Sequence, residues 1–114
     1  MQRLFILLGG FAGAGGVALS AVAAHAGGDY VATASSFMLA HAPALLAIGL
    51  LGRGRVLATG GAILVLGLLL FCGDLLMRHY AGDRLFPMAA PAGGTLMIAG
   101  WLVVALGAFT TREA

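Results

Sequence analysis

The chain has 114 residues, of which 61% are hydrophobic and only 9% charged, whereas soluble domains carry about 25% charged residues. The net charge of +2 is small and the charges are scattered along loops, which argues against a nucleic-acid-binding face. The single cysteine, Cys72, excludes an intrachain disulfide and a cysteine-based metal cluster, and we expect it to pack as a small apolar side chain. This composition indicates a membrane protein.

Four apolar segments account for nearly all of the chain, at residues 4–24, 34–51, 56–76 and 89–109. A helix of about 20 residues spans a hydrocarbon core of about 30 Å. The first segment also resembles a signal peptide, because Arg3 precedes it and Ala24-His25-Ala26 could form a cleavage site. Its apolar run is longer than the about 7–15 residues of such a peptide, so we interpret it as a membrane helix. We therefore predict a single all-α domain with four transmembrane helices.

The predicted connections are about nine, four and twelve residues long, which favours an up-down antiparallel bundle. Arginines are unequally divided between the two sides of this bundle. One side holds Arg3, Arg53, Arg55 and Arg112, and the other holds Arg78 and Arg84. Because arginine-rich ends stay in the cytoplasm, we expect both termini to be cytoplasmic and the protein to lie in a bacterial inner membrane.

Glycines recur inside the segments with a regular spacing. The pattern Gly-Gly-x5-Gly occurs three times, and one further glycine extends the last series by seven residues. A seven-residue repeat places glycines along one seam of a helix pair, and small residues let membrane helices approach closely. We therefore predict that helix packing uses Gly9, Gly16, Gly60, Gly67, Gly93, Gly100 and Gly107.

Few ionisable side chains lie in or near the predicted helices. Each costs about 2.5–3.5 kcal/mol at a helix centre on insertion scales, so such residues are the first candidates for a functional site. In the predicted topology they gather in the half of the bundle away from the termini. This candidate polar cluster consists of His25, His41, Asp74, Arg78 and His79.

Asp74 and Arg78 allow two interpretations. Their i,i+4 spacing places both on one helix face, so they can neutralise each other near the membrane interface while Arg78 reaches outward. Alternatively, Asp74 combines with His41 in a site for a proton or another ion. No His-x-x-His or His-x-x-x-His spacing is present, so we expect neither a metal site nor a cofactor.

His41 also has a structural interpretation. Pro43 lacks an N–H and would free a backbone carbonyl near Leu39, where a polar partner is useful. His41 could therefore bond to a backbone carbonyl, or to a hydroxyl such as that of Ser20 or Ser36.

Four short motifs follow one another at suitable spacing along the chain. They are Ser20-Ala21-Val22-Ala23-Ala24-His25, then Phe37-Met38-Leu39-Ala40-His41, then Leu70-Phe71-Cys72-Gly73-Asp74-Leu75, and finally Ala90-Pro91-Ala92-Gly93-Gly94 with Gly100-Trp101. With these motifs the whole chain resembles a small membrane-protein family of unknown function, the YgdD/YwdK-like bacterial proteins related to eukaryotic transmembrane protein 256. The resemblance implies a four-helix inner-membrane protein without an assigned activity.

The chain departs from the family pattern at two of these motifs. Phe37 and Met38 replace the usual Tyr-Gln, and Asp74 replaces a serine. If His41 and Asp74 face each other, the aspartate gained at position 74 takes the place of the glutamine lost at position 38 within a single polar cluster.

The favoured function is that of a packing or interaction protein, either an accessory subunit or an oligomeric scaffold. Its expected partners are membrane lipids and further copies of the chain or a larger membrane assembly, and not nucleic acid. We do not expect an enzyme, because the GxSxG, P-loop and Rossmann signatures are absent. One alternative is a small transporter or channel for a proton, cation or small polar solute that uses His41 and Asp74. Another is a lipid- or quinone-binding protein that uses the polar cluster.

Overall fold

The structure is a computed structural model that describes residues 1–52 and 54–110. It contains four helices and a short 3-10 turn, and the described residues form no strand. The helices are α1 (Gln2–Ala26), α2 (Asp29–Leu51), α3 (Arg55–Ala81) and α4 (Ala89–Leu106), which the turn Gly107–Phe109 extends. All four are long and apolar enough to cross a membrane. The predicted all-α class with four transmembrane helices is therefore confirmed.

Two helices extend well beyond the apolar segments that predict them, whereas α1 is only two residues longer at each end. α2 begins at Asp29, before the predicted start at residue 34, and α3 continues past residue 76 to Ala81. The added residues mix polar and apolar side chains and are not apolar enough to be predicted as membrane-spanning, but the charges of Asp29 and Arg78 suit the helix dipole. Asp29 lies in the first turn of α2, while Arg78 and His79 lie in the last turn of α3. The connections are consequently short, at residues 27–28, 52–54 and 82–88.

Glycines make the shortest of these connections possible. Gly27 and Gly28 join α1 to α2 with φ angles of 76° and 114°, values that glycine adopts at no steric cost. A Cβ on Gly28 would also lie 2.7 Å from Cε1 of His79. The turn thus brings the beginning of α2 directly beside the end of α3.

The helices form two antiparallel hairpins that pack side by side. α1 packs along α2, α3 packs along α4, and α2 joins the two hairpins through α3. The Cα atoms extend over 48 × 28 × 18 Å. We call the end with connections 27–28 and 82–88 the cap end. The beginning of α1 and the end of α4 share the opposite end, which we call the terminal end.

The predicted packing glycines lie at the two hairpin interfaces, and all seven are buried. A Cβ on Gly9 would lie 3.0 Å from the carbonyl oxygen of Ala42, and one on Gly16 would lie 3.2 Å from the nitrogen of Leu39. In the second hairpin, Gly67 and Gly93 face each other's backbones, with a Cβ on either lying 2.7 Å from the other's carbonyl oxygen. The backbones approach so closely that these positions admit only glycine without a shift.

The remaining three packing glycines lie at the interface between α3 and α4. A Cβ on Gly60 would lie 3.1 Å from the nitrogen of Val104, and one on Gly100 would lie 3.0 Å from the nitrogen of Leu64. Gly107 accommodates the side chain of Leu57 near the terminal end. The glycine seams are therefore used within the chain.

Candidate functional site

His41 is held between two hydrogen-bond partners inside the bundle. Its Nδ1 lies 2.8 Å from the carbonyl oxygen of Phe37, and its Nε2 lies 3.1 Å from Nε1 of Trp101. A carbonyl can only accept and an indole N–H can only donate. Both partners are satisfied together only when His41 is neutral and carries its proton on Nδ1. The ring is buried, with 4% of its residue surface exposed.

Aromatic side chains surround this histidine and connect three helices. The ring centroids of Phe37 and His41 are 6.2 Å apart, those of Phe37 and Phe71 are 4.6 Å apart, and those of His41 and Trp101 are 5.7 Å apart. We call Phe37, His41, Phe71 and Trp101 the aromatic strip. It connects α2 to α3 through Phe71 and to α4 through Trp101, so His41 contributes to packing as well as to hydrogen bonding.

The partner of His41 differs in detail from the expected ones. Its backbone acceptor is Phe37 and not a carbonyl near Leu39. Of the two serines considered, Ser36 donates to the carbonyl oxygen of Ala32 in its own helix, at 3.1 Å. A backbone partner, as expected, is therefore present, whereas the bond to Trp101 has no local signal in the sequence, because the two residues are far apart in the chain.

Asp74 binds the last connection of the chain. Its side chain is fully buried, and Oδ1 accepts a 2.8 Å hydrogen bond from the backbone N–H of Leu85. Oδ2 lies 3.0 Å from Nε of Arg78, although the N–H is not directed well enough at the oxygen to count as a hydrogen bond. We regard this contact as an ion pair, since charge attraction at this distance does not require the alignment of a hydrogen bond.

Arg78 extends the contacts of Asp74 to α2. Its Cζ lies 5.7 Å from the centroid of the Tyr30 ring, within the range of a cation–π interaction. Its side chain is 24% exposed, so the guanidinium also reaches the surface at the cap end. The expected i,i+4 pair is thus present, and it additionally holds residues 82–88 and the first turn of α2.

The two remaining histidines lie at the surface of the cap end. His79 contacts Gly28 across the first connection and packs edge-on against Tyr80, with ring centroids 4.6 Å apart. His25 is exposed in the last turn of α1. Neither belongs to a group of histidine, cysteine or acidic residues that could hold a metal ion, because the described part of the chain contains no such group.

The structure separates His41 from Asp74. The Sγ of Cys72 lies 3.6 Å from the carbonyl oxygen of Ala34, which aligns the antiparallel helices α2 and α3. By this alignment Asp74 lies near the level of Ala32, and His41 lies about 13 Å further along the helix axis. The two side chains face different partners, Trp101 for one and Leu85 for the other. The hypothesis of a single exchange within one polar cluster is therefore wrong.

Two cavities differ sharply in chemistry. A groove of about 270 Å³ between α1 and α3 is almost wholly apolar. A second space of about 390 Å³ opens at the cap end and is mainly polar. We call this second space the cap pocket, and its lining consists of Tyr30, Arg78, Gly82, Asp83 and Arg84.

Comparison with known proteins agrees with the membrane fold. Residues 12–94 match the model of a family described as a protein of unknown function, DUF423. A UPF0382 membrane protein of Staphylococcus saprophyticus is 28% identical over 118 residues, covering 95% of this chain and 98% of the relative. A UPF0382 membrane protein of Haemophilus influenzae is 27% identical over 123 residues, covering 99% of each chain. No solved structure matches. This chain is a membrane protein that belongs to the DUF423 family of unknown function.

Proposed function

We propose that the protein acts in the membrane by association, as an oligomeric scaffold or as an accessory subunit of a larger assembly. The observation that carries this proposal is the closed set of hydrogen bonds around His41, with both ring nitrogens occupied by Phe37 and Trp101. A transport site needs polar groups that can exchange partners with a solute. His41 would have to give up two bonds to do so.

Other buried polar groups support the same interpretation. Ser35 donates a 2.7 Å hydrogen bond to the carbonyl oxygen of Gly16 and so connects α1 with α2. Asp74 is occupied by Leu85 and Arg78 at the cap end. These bonds hold the bundle together, and they leave the lipid-facing surfaces of the helices as the place for interaction with a partner.

The outward face of α1 is a suitable surface for such an interaction. Small exposed residues recur on it at intervals of four and three residues, and they are Gly10, Ala14, Ala18 and Ala21. A Cβ on Gly10 would meet no atom within 4 Å. Membrane helices associate through faces of this kind because small side chains allow close backbone contact.

We further propose that both termini face the cytoplasm and that the membrane is the bacterial inner membrane. The arginine asymmetry supports this orientation, with Arg3 and Arg55 at the terminal end, and Arg53 and Arg112 lie outside the described residues. Labelling of cysteines introduced at Ser36 or Thr59 would report the orientation poorly, because both residues lie within helices and not in the connections on either side of the membrane. Alkaline-phosphatase fusions after Gly82 and after Phe109 test it directly, with activity expected only for the first.

Cross-linking in membranes tests the association. In a Cys72→Ala background, we expect Ala14→Cys to form disulfide-linked dimers, or a specific adduct with a partner, under mild oxidation. Ala62→Cys is the matched control, since Ala62 is exposed on α3 and lies outside the proposed face. Equal cross-linking at both positions, or none at Ala14, would contradict the proposal.

Proton or cation flux through liposomes containing the purified protein, lost on His41→Ala, would favour the transporter alternative.

A further inference from the structure

We propose that the cap pocket binds the headgroup of a phospholipid that carries both a phosphate and a primary ammonium group. Arg78 and Arg84 supply the cations, and Asp83 supplies an exposed carboxylate beside them. With buried Asp74 included, the two arginines are balanced by two carboxylates. A headgroup of zero net charge with separated charges matches this arrangement better than an anion does.

The phosphate is expected at the two arginines. Asp74 and the Tyr30 ring hold the guanidinium of Arg78 from its Nε side and its face, respectively. No described residue forms a hydrogen bond to the two terminal nitrogens of Arg78. Their N–H groups can donate a pair of parallel hydrogen bonds to two phosphate oxygens. Because Asp74 is buried and bonded to Leu85, the guanidinium of Arg78 is already oriented before a ligand binds.

The ammonium group is expected at Asp83. One of its oxygens, Oδ1, accepts a 2.8 Å hydrogen bond from the backbone N–H of Arg84, and Oδ2 has no hydrogen-bond donor among the described residues. A primary ammonium can donate hydrogen bonds to this oxygen, whereas a quaternary ammonium has no N–H to donate. The aromatic ring that could attract a quaternary ammonium, Tyr30, is already covered by Arg78.

The position of the pocket favours a membrane lipid over a soluble molecule. Tyr30 is followed on α2 by Phe37 and His41, and the seven- and four-residue intervals place all three on one helix face. The aromatic strip therefore continues from the cap pocket toward the middle of the membrane. Its outer members Phe37 and Phe71 are half-buried, and Trp101 is 42% exposed, so an acyl chain can lie against them while the headgroup occupies the pocket.

Native mass spectrometry of the full-length protein with lipids of identical acyl chains tests the proposal. The probes are phosphatidylethanolamine, phosphatidylglycerol and phosphatidylcholine, and we expect the first to be retained about threefold more than either other lipid. Arg84→Gln is expected to lower retention of phosphatidylethanolamine about threefold. Asp83→Asn is expected to abolish the preference over phosphatidylcholine. Both positions are exposed, so neither variant should disturb the bundle.

Arg55→Gln is the matched control, because Arg55 is exposed at the terminal end, and its lipid retention should equal that of the wild type. Equal retention of the three lipids, or a preference that survives in both cap-pocket variants, would overturn the proposal. Displacement of the lipid by soluble glycerophosphoethanolamine would also overturn it, because the pocket would then recognise a free headgroup and not a membrane lipid.

Discussion

The indole Nε1 of Trp101 donates a 3.1 Å hydrogen bond to Nε2 of His41, and so joins α4 to α2 across the bundle. These two helices belong to different hairpins and touch only weakly elsewhere. His41 in turn donates from Nδ1 to Phe37 in its own helix. The polar pair therefore connects the two hairpins while leaving neither ring with an unbonded nitrogen.

A double-mutant cycle should reveal this connection as a coupling free energy. We expect His41→Leu and Trp101→Phe to be coupled by about 0.6–1.7 kcal/mol in the free energy of unfolding, the range for interhelical hydrogen bonds in membranes. The measurement is reversible unfolding in mixed micelles. His25→Leu combined with Trp101→Phe is the control, and its two effects should simply add because His25 is exposed at the end of α1. Additive effects for the His41 cycle would rule out the bond.

Adjacent glycines on α4 should respond very differently to the same added methyl group. A Cβ on Gly93 would lie 2.5 Å from the nitrogen of Phe71, whereas one on Gly94 would meet no atom within 4 Å. Gly93→Ala should therefore destabilise the protein by about 1–3 kcal/mol. Gly94→Ala should change the free energy of unfolding by less than about 0.5 kcal/mol. Similar losses for the two variants would show that α3 and α4 do not pack through this seam.

Asp74 should keep the last connection, residues 82–88, in its ordered conformation. Asp74→Ala removes the acceptor for the Leu85 N–H and the partner of Arg78, so we expect a loss of about 1–3 kcal/mol and faster hydrogen exchange at the Leu85 amide. Asp74→Asn keeps an acceptor oxygen and should cost less. Asp83→Ala serves as the control, since Asp83 is exposed and does not bond to Leu85. Slow exchange at Leu85 in the alanine variant would contradict this role.

Met88 should yield a stabilising substitution. It precedes α4 with φ 72°, a left-handed conformation that costs an L-residue about 1–2 kcal/mol. Met88→Gly removes that cost but gains chain entropy in the unfolded state, so we expect a net stabilisation of about 0.5 kcal/mol. Met88→Ala retains the unfavourable backbone and should bring no gain. Unfolding free energies of the two variants separate the backbone effect from loss of the exposed side chain.

The sequence allowed the number and class of helices to be predicted because hydrophobic length is a local property. Helix ends were less predictable, since residues 29–33 continue α2 and residues 77–81 continue α3 beyond the apolar core. A hydropathy pattern does not detect this continuation, because it responds only to runs of apolar residues. The features of the sequence that indicate the true helix ends are the charged residues in the end turns and the Gly27-Gly28 turn.

The polar site was only partly predictable for a different reason. The Asp74–Arg78 pair is visible in the sequence because helix geometry fixes an i,i+4 contact. The bond between His41 and Trp101 joins residues 60 positions apart, and its formation depends on how the hairpins pack. His41 and Asp74 do not share one cluster, because His41 lies near the middle of α2 whereas Asp74 lies two turns before the end of α3 at the cap end.

The side-chain ¹⁵N NMR spectrum of His41 in lipid nanodiscs tests the central claim most directly. The account predicts a neutral ring with the proton on Nδ1, an unprotonated Nε2, and a scalar coupling from that nitrogen to the Trp101 indole N–H. The coupling should vanish in Trp101→Phe. A ring protonated on Nε2, or a charged ring in contact with water, would show that His41 is available for exchange and would contradict the account.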